Sequence, residues 1–288
     1  MEGDTLATMP AIVLSLSCPD RPGIVHSVTG VLASAGGNIL ESQQYGDIDT
    51  GQFFLRIEAE IPGTIGDLRE PVDELADRFQ GRIELAEKDR PLKTIIMAST
   101  TSHCLTDLLY EQRMGRLPIE VARVVSNHDK LRPIADFYEA PYTHIPFVKE
   151  RREEAEAQLM EIVDETGAEL IVLARYMQVL SPQLCKRMAG SIINIHHSFL
   201  PSFKGARPYQ QAHDRGVKLI GATAHYVTED LDEGPIIEQD VERVSHALSA
   251  PDLQAIGEDV ERRVLARAVR WHAEDRVLRN GQRTVVFP

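Results

Sequence analysis

Three polar side chains with catalytic potential lie in two short segments of the sequence. Asn194 and His196 stand two positions apart where an apolar run ends, and Asp232 lies in an acidic loop that follows a later β-rich run. Side chains two positions apart in a strand point to the same face, so Asn194 and His196 should lie together near a strand end. An amide, an imidazole and a carboxylate are the groups expected around a reacting acyl carbon.

Each of these three residues has a definite role in such chemistry. The side-chain NH2 of Asn194 can donate to an oxyanion, and one such donor typically contributes about 2.7 to 4 kcal/mol of transition-state stabilisation. His196 can take a proton from a nucleophile and return it to a leaving nitrogen near neutral pH. Asp232 can orient the attacking water and stabilise a charged His196. The alternative is a structural histidine beside a capping asparagine, but the acidic loop after Leu231 favours the catalytic interpretation.

Three further histidines, His197, His213 and His225, raise the question of a metal site. Their spacing with His196 matches no familiar ligand pattern, and a zinc site needs converging ligands. We therefore expect no metal and keep a metal site as the minor alternative. His225 either supports the catalytic groups or is an ordinary strand residue.

The loop after the strand that contains Ile96 is rich in hydroxyl groups. Residues 98–103 include serine and threonine but no glycine. A phosphate cradle usually needs glycines, because the backbone must approach the phosphate closely. The loop therefore disfavours a nucleotide or phosphate site and leaves only a weaker anion site open.

Strands that alternate with helices must position these groups in the second part of the chain. The alternation predicts an α/β fold with a mostly parallel, Rossmann-like sheet. Asn194, Tyr176 and the loop after Ile96 would then lie at the carboxyl ends of strands, where such sheets bind ligands. A long helix over residues 251–274 and a hairpin around Asn280-Gly281 are predicted to end the chain.

The first part of the chain has a different order of elements, β-α-β-β-α-β, which is that of a ferredoxin-like unit. Asp20 is predicted as the N-cap of its first helix. Thr64 and Asp67 have the spacing of a capping box before its second helix. The predicted domains are residues 1–8 as a flexible tail, 9–87 as the ferredoxin-like domain, 88–92 as a charged linker, and 93–288 as the catalytic domain.

The composition restricts the class of protein. A length of 288 residues suits two domains, and the formal net charge of -13 opposes a nucleic-acid or anionic-membrane surface. The three cysteines are widely spaced and show neither a disulfide framework nor zinc spacing, which indicates a reducing, cytoplasmic location. No run of about 18 apolar residues and no secretory pattern occurs, so no membrane span or signal is predicted.

Residues 10–87, with the loop Asp20-Arg21-Pro22-Gly23-Ile24, resemble the ACT domain. This resemblance implies a regulatory module that binds an amino acid between subunits, and hence a homo-oligomer, a dimer or a tetramer. Gly23 would let the ligand approach the backbone closely, and first-turn amides of the next helix could receive its carboxylate. A dimerisation module without a ligand is the alternative. The implied site comprises Asp20, Arg21, Gly23, Ile24, Gly37 and Asn38.

Three segments of the second part resemble the signature of folate-dependent formyltransferases. They are Asn194-Ile195-His196, the run Phe199-Leu200-Pro201-Ser202-Phe203-Lys204-Gly205, and the loop from Thr228 to Pro235. The resemblance implies a formyltransferase-like catalytic domain in which Asn194, His196 and Asp232 form the catalytic trio.

The same resemblance implies a folate pocket. The segment from Arg175 to Ser181 is similar to the family segment that lines this pocket, and the backbone of residues 228–232 would form the rest of the pterin site. The implied folate-binding residues are Arg175, Tyr176, Met177, Val179, Leu180, Thr228, Glu229, Asp230 and Leu231.

Within this family, the chain resembles the formyltetrahydrofolate deformylase branch over nearly its whole length. The features that carry the resemblance are the ACT-like domain, the doubled His196-His197 followed by Ser198, and the glycine-free loop after Ile96. The branch implies hydrolysis of 10-formyltetrahydrofolate by water to tetrahydrofolate and formate, without a metal or redox cofactor and with regulation by an amino acid. Transfer of the formyl group to an amine, or a non-catalytic folate and amino-acid sensor, are the open alternatives.

Overall fold

A computed structural model describes residues 9–200 and 208–288 of the chain. The predicted flexible tail, residues 1–8, and part of the run that begins at Phe199, residues 201–205, lie outside the described residues. The chain divides into two compact units. The first contains residues 9–90, 274–280 and 284–288, and the second contains residues 91–200, 208–273 and 281–283.

The first unit is a four-stranded antiparallel sheet with two helices, in the predicted β-α-β-β-α-β order. The strands lie in the order β2-β3-β1-β4. The elements are β1 (Ala11–Pro19), α1 (Ile24–Ser34), β2 (Asn38–Asp47), β3 (Gln52–Glu60), α2 (Arg69–Phe79) and β4 (Arg82–Glu87). Helix α1 buries Ile24, Val28 and Leu32, which are four positions apart and therefore share one helical face.

One of the two predicted caps in this unit is confirmed and the other is wrong. The Thr64 backbone N–H donates to Asp67 Oδ2 at 2.8 Å, in a capping box at the short 3-10 turn that leads into α2. The N-cap of α1 is Gly23 rather than Asp20, and no side chain caps this helix. Gly23 has φ +94°, which lies in the left-handed region that glycine tolerates. The chain turns at Gly23, three residues after Asp20, because this conformation is available there.

The second unit contains a seven-stranded sheet in the order β11-β10-β9-β8-β5-β6-β7. Strands β9, β8, β5, β6 and β7 run parallel to one another, while β10 is antiparallel to both of its neighbours, β9 and β11. The predicted mostly parallel sheet is therefore confirmed. The elements are β5 (Leu92–Ala98), α3 (His103–Arg113), β6 (Ile119–Ser126), α4 (Arg132–Phe137), β7 (Tyr142–His144), α5 (Arg152–Thr166), β8 (Leu170–Ala174), α6 (Pro182–Arg187), β9 (Ile192–His196), α7 (Pro208–Asp214), β10 (Leu219–Tyr226), β11 (Ile236–Arg243) and α8 (Ala250–Ala273).

The strand order reverses beside β5, and this reversal fixes where a ligand can bind. The chain passes from β5 outward to β6 and β7, then returns to the other side of β5 as β8 and β9. Ligands bind at such a switch point, beyond the carboxyl ends of the strands. Helix α5 packs Leu159, Ile162 and Val163 into the core with β5 and β8. No helix in the described part of the chain is both long and apolar enough to cross a membrane.

The C-terminal segment belongs largely to the first unit. The predicted hairpin is present as β12 (Val277–Asn280) and β13 (Arg283–Val286), but residues 274–280 and 284–288 cluster with the ferredoxin-like sheet. Leu278 and Phe287 form a buried cluster with Phe54 of β3. The predicted extent of the catalytic domain, 93–288, therefore differs from the second unit, because burying these apolar side chains on β3 stabilises the segment there.

Candidate active site

The register of two antiparallel strands brings the first catalytic candidates together. Strands β9 and β10 pair so that Asn194 lies opposite His225 and His196 lies opposite Thr223. Residues directly opposite each other in a sheet place their side chains on the same face. As a result, Asn194 Nδ2 lies 3.2 Å from His225 Nε2. His225 is 2 % exposed and thus forms part of the interior wall of the site.

The loop after β10 brings Asp232 to the two histidines. Asp232 Oδ2 lies 3.3 Å from His196 Nδ1, and Asp232 Oδ1 lies 3.6 Å from His225 Nε2. Asp232 has φ +58°, in the left-handed region that a non-glycine residue rarely adopts. Backbone strain of this kind concentrates at functional sites, where the surrounding structure enforces it.

The environment of Asp232 fixes its ionisation state. Burial opposes the charged form, but the hydrogen bond from His196 favours it and holds the pKa of this carboxyl well below its usual range. An ionised carboxylate only accepts hydrogen bonds. Asp232 therefore selects the His196 tautomer that carries its proton on Nδ1, which leaves Nε2 to exchange a proton with a substrate.

His225 orients the amide of Asn194. His225 Nδ1 lies 2.9 Å from the carbonyl oxygen of Tyr226, so the proton of a neutral ring lies on Nδ1 and Nε2 accepts. The Asn194 NH2 group donates one of its two hydrogens to that Nε2. This hydrogen bond fixes the orientation of the amide group, so the direction of its second N–H is also fixed. An oxyanion donor requires such a fixed orientation.

His197 packs against His196 and is held neutral. The two imidazole rings stack with their centroids 4.7 Å apart and an interplanar angle of 24°. Arg175 Nη1 lies 2.8 Å from His197 Nδ1. Burial, and then the charge of Arg175, lower the pKa of His197 to about 4. At neutral pH His197 is therefore an uncharged imidazole that accepts a hydrogen bond from Arg175.

A buried carboxylate, Glu261 of α8, fixes Arg175 in turn. Glu261 is 1 % exposed. Its carboxylate accepts hydrogen bonds from Tyr209 Oη at 2.6 Å and from His103 Nε2 at 2.9 Å. It also forms an ion pair with Arg175, whose Nε lies 3.3 Å away. Burial opposes ionisation, but the hydrogen bond from His103 and the charge of Arg175 prevail and lower the pKa of Glu261. Glu261 and Tyr209 were not predicted as site residues, because the residues that they contact are distant in the chain.

The same region contains three groups that could act as metal ligands. The ligand atoms of His103, Cys104 and Glu261 lie within 4.8 Å of one another. The Arg175 guanidinium already lies against the Glu261 carboxylate and would repel a cation. Burial raises the pKa of the Cys104 thiol well above its usual value, which keeps this sulfur protonated. The chemistry of this group therefore fits an ion-pair network better than a metal site.

A cavity of about 650 Å³ extends from the catalytic candidates. Asn194, His196, His197, His225 and Asp232 all line it. The nine residues that the sequence assigned to folate binding also line it: Arg175, Tyr176, Met177, Val179, Leu180, Thr228, Glu229, Asp230 and Leu231. The cavity therefore brings together all the catalytic and folate candidates, which come from the loop after β8, strand β9, and the loop after β10.

The hydroxyl-rich loop after β5 supports a loop that lines this cavity. The Ser99 hydroxyl donates to Asn127 Oδ1 at 2.7 Å and accepts from the Met177 backbone N–H at 3.1 Å. Ser99 is 3 % exposed, so its hydroxyl is engaged in structure rather than available to an anion. It fixes the loop after β8 that carries Arg175 and Tyr176. Burial raises the pKa of Tyr176 to about 12, which keeps its phenol neutral.

Comparisons with known proteins place this architecture in one family. The formyl transferase family model matches residues 92–269, and the ACT domain model matches residues 12–77. A formyltetrahydrofolate deformylase of Corynebacterium sp. (strain P-1) is 50 % identical over 278 residues, which is 96 % of this chain and 97 % of that protein. The chain belongs to the formyltetrahydrofolate deformylase family. A deformylase of Bacillus subtilis (strain 168) is 46 % identical over 95 % of this chain and 93 % of that protein.

Solved structures agree with this membership of the deformylase family. The crystal structure of a formyltetrahydrofolate deformylase from Burkholderia mallei ATCC 23344 has a TM-score of 0.93, with 46 % identity over 97 % of this chain and all of that one. Glycinamide ribonucleotide transformylase 1 from Symbiobacterium toebii gives a TM-score of 0.65 and 30 % identity over 71 % of this chain and 98 % of that one. The predicted resemblances to ACT domains and to formyltetrahydrofolate deformylases are thus confirmed.

The residues expected to bind a regulatory amino acid lie in the first unit of this family member. Asp20, Arg21 and Gly23 are exposed beside the N-terminus of α1, while Ile24 is buried in its first turn. Gly37 and Asn38, where β2 begins, complete the predicted set, and Asn38 is exposed. The first turn of α1 contains no acidic residue, and no side chain caps this helix. Its first-turn backbone amides therefore donate to no carboxylate of the helix itself and could bind one from a ligand.

Proposed function

We propose that the chain hydrolyses 10-formyltetrahydrofolate to tetrahydrofolate and formate. The observation that carries the proposal is the convergence of Asn194, His196 and Asp232 on one cavity, together with every residue assigned to folate binding. An amide donor, an imidazole and an ionised carboxylate are the groups needed to add water to a formyl carbon and release an amine. The family membership supports the same reaction.

The catalytic trio would act in sequence on one formyl group. Water attacks the formyl carbon and gives a proton to His196 Nε2, while Asp232 stabilises the imidazolium that forms. Asn194 Nδ2 donates to the oxygen of the tetrahedral intermediate. The C–N10 bond then breaks as His196 returns the proton to N10, which yields tetrahydrofolate and formic acid, and the acid ionises to formate. These steps require no metal or redox cofactor.

The folate would occupy the cavity between two loops. The loop after β8 supplies exposed apolar side chains, Met177 and Val179, and the loop after β10 supplies Leu231. Backbone groups of residues 228–231 would bind the polar edge of the pterin. This arrangement would direct N10 and its formyl group toward Asn194, His196 and Asp232, because all of these residues line the same cavity.

The decisive experiment supplies the formyl donor without an amine acceptor. The wild-type chain should release formate from 10-formyltetrahydrofolate in buffer that contains EDTA. Asp232→Asn should lower kcat by about 10²-fold or more, because the general acid–base pair loses its charged member. Asp214→Asn, which changes an exposed carboxyl of α7 outside the cavity lining, is the matched control and should keep kcat. Formate release that needs an added amine, or folate binding without turnover, would overturn the proposal.

We further propose that the first unit binds an amino acid and adjusts this activity. Its ACT-domain match supports amino-acid regulation. The proposed site is the loop Asp20, Arg21, Gly23 and Ile24 with Gly37 and Asn38, where the uncapped amides of α1 would receive the carboxylate of the ligand. Isothermal titration of the whole chain with a panel of amino acids measures this binding, and the absence of any binding would contradict the site.

A further inference from the structure

Two buried imidazole nitrogens on residues that line the cavity have no hydrogen-bond partner within the described part of the chain. They are Nε2 of His196 and Nε2 of His197. Buried polar atoms are nearly always paired, and leaving one unpaired typically costs about 1 to 3 kcal/mol. Both residues line the cavity of about 650 Å³. The missing partner of each nitrogen is therefore to be sought among the molecules that enter this cavity.

The protonation of His197 makes its Nε2 a donor. A guanidinium has only donor groups, so the 2.8 Å contact with Arg175 Nη1 requires His197 Nδ1 to accept. A neutral imidazole with an accepting Nδ1 carries its proton on Nε2. Glu261, at 3.3 Å from Arg175 Nε, holds the guanidinium in place and thereby fixes this tautomer.

The protonation of His196 makes its Nε2 an acceptor. Asp232 Oδ2, 3.3 Å from His196 Nδ1, is a carboxylate oxygen and selects the tautomer with the proton on Nδ1. The stacked rings, 4.7 Å apart between centroids, thus carry one donor and one acceptor on two residues that line the same cavity. A small molecule that both donates and accepts satisfies both nitrogens.

We propose that this donor–acceptor pair holds the attacking water, and that His197 is a fourth catalytic residue which selects water over amines as the formyl acceptor. The inference rests on the proposed hydrolysis and deepens it. Water donates one hydrogen to His196 Nε2 and accepts from His197 Nε2–H. These two contacts seat the nucleophile before it attacks.

The count of lone pairs explains the selection. Water has two lone pairs, so one can accept from His197 while the other attacks the formyl carbon. A neutral primary amine has a single lone pair on nitrogen. An amine that accepts from His197 Nε2–H has no lone pair left for attack, and an amine that attacks leaves this buried donor unpaired. The site therefore favours hydrolysis over formyl transfer by the chemistry of one N–H group.

The atoms balance through the same groups. The water oxygen forms the new C–O bond, and its proton passes to His196 Nε2. The hydroxyl of the tetrahedral intermediate keeps the hydrogen bond from His197. As the C–N10 bond breaks, N10 takes the proton from His196. His197 neither gains nor loses a proton in these steps, so it is neutral before and after the reaction.

Two substitutions of His197 separate its donor from its acceptor. Asn at this position places Oδ1 near the former Nδ1 and can still accept from Arg175, but it has no group at the former Nε2. Gln reaches the former Nε2 with an N–H group but loses the acceptor for Arg175. The assay supplies 10-formyltetrahydrofolate with and without glycinamide, a small primary amine, and measures formate and N-formylglycinamide. His213→Asn, the same change at an exposed histidine outside the cavity lining, is the matched control.

We expect His197→Asn to lower kcat for formate release by about 10²- to 10³-fold with little change in KM, because loss of one preorganised donor typically has an effect of this size. His197→Gln should lose less, and the ratio of N-formylglycinamide to formate should rise in the Asn variant only. A Gln variant slower than the Asn variant, or an unchanged product ratio, would show that His197 only supports Arg175 and would overturn the proposal.

Folding and function are checked separately. Should the melting temperature show that His197→Asn does not fold, His197→Ala with added imidazole replaces it. Rescue of formate release by imidazole supports the donor role of His197. If His197→Ala folds but imidazole does not rescue it, the donor role is contradicted. If neither His197→Asn nor His197→Ala folds, His197 has no donor role that can be separated from its structural role, and the proposal fails. Wild-type chain that releases no formate without glycinamide would refute the proposed hydrolysis itself, which is a different result from any of these.

Discussion

Three ionisable residues at or near the cavity have pKa values displaced in opposite senses. The hydrogen bond from His196 holds the pKa of Asp232 low, and His103 and Arg175 hold the pKa of Glu261 low, in both cases against the effect of burial. Burial, with the charge of Glu261, raises the pKa of Tyr209 far above its usual value. Environments that separate pKa values in this way assign the roles of acid, base and spectator at one pH.

The lowered pKa of His197 predicts a dependence of stability on pH. The unfolded chain protonates this imidazole near pH 6.5 and the folded chain near about 4. Between these values the unfolded state binds more protons, so the stabilisation is complete above pH 6.5 and is lost as the pH falls toward 4. His197→Asn removes the titrating group and should flatten this part of the profile of unfolding free energy, measured by urea denaturation. His213→Asn leaves His197 in place and should keep the wild-type slope. Equal slopes in wild type and His197→Asn would contradict the assignment.

The loop between β10 and β11 shows how an element fixes the side chain of Asp232, a proposed catalytic residue. A Cβ added at Gly234 would lie 1.8 Å from the carbonyl oxygen of Tyr226. This oxygen belongs to the backbone of β10, so it cannot move away unless the strand itself moves. The backbone N–H of Tyr226 also donates to the carbonyl oxygen of Pro235 at 2.9 Å. Gly234 thus permits the loop to fold back against the end of β10 and to deliver Asp232 to His196.

We expect Gly234→Ala to displace this loop and lower kcat by about 10²-fold, the typical cost of misplacing a catalytic group by about 1 Å. Formate release and the melting temperature measure the two consequences. Gly30→Ala is the matched control, because Gly30 lies within α1, a Cβ there meets nothing within 4 Å, and alanine favours a helix by up to about 1 kcal/mol. Wild-type kcat in a folded Gly234→Ala variant would contradict this role of the loop.

Much of the element pattern could be predicted because it depends on local sequence. The alternation of strands and helices, the capping box at Thr64, and the shared face of Asn194 and His196 all follow from periodicity and spacing. The contact of Asn194 with His225 could not be predicted, because it depends on the register of β9 against β10. The N-cap at Gly23 was missed because a side-chain cap is only one way to begin a helix.

At the scale of the whole molecule, the two ends of the chain form one unit. The C-terminal segment packs Leu278 and Phe287 with Phe54, and Arg56 donates to the carbonyl oxygen of Glu274 at 3.0 Å. Arg56 is 2 % exposed and also pairs with Glu41 at 3.0 Å. A fragment that starts at Pro91 would therefore leave the C-terminal segment without the sheet that buries it. Tests of regulation should use the whole chain with point substitutions.

The proposed amino-acid site predicts a specific response to one such substitution. Gly23→Asp places a carboxylate beside the uncapped amides of α1, where it should repel the carboxylate of an amino acid. We expect titration calorimetry to show binding of at least one amino acid to the wild-type chain and weaker binding, or none, to this variant. The amino acid should also shift kcat or KM for formate release in wild type, since coupling between sites is typically about 1 to 3 kcal/mol.

The control for this prediction is Gly216→Asp in the second unit. Gly23 and Gly216 both have positive φ, +94° and +61°, and a Cβ at either position meets nothing within 4 Å. Both substitutions put a side chain at a position of positive φ and make the same change in charge, but only the first lies at the proposed site. Formate release without amino acid should persist in both variants, and the amino-acid response should be lost only in Gly23→Asp. Equal binding by the two variants would place the regulatory ligand elsewhere, and no binding by wild type would leave the first unit with an assembly role alone.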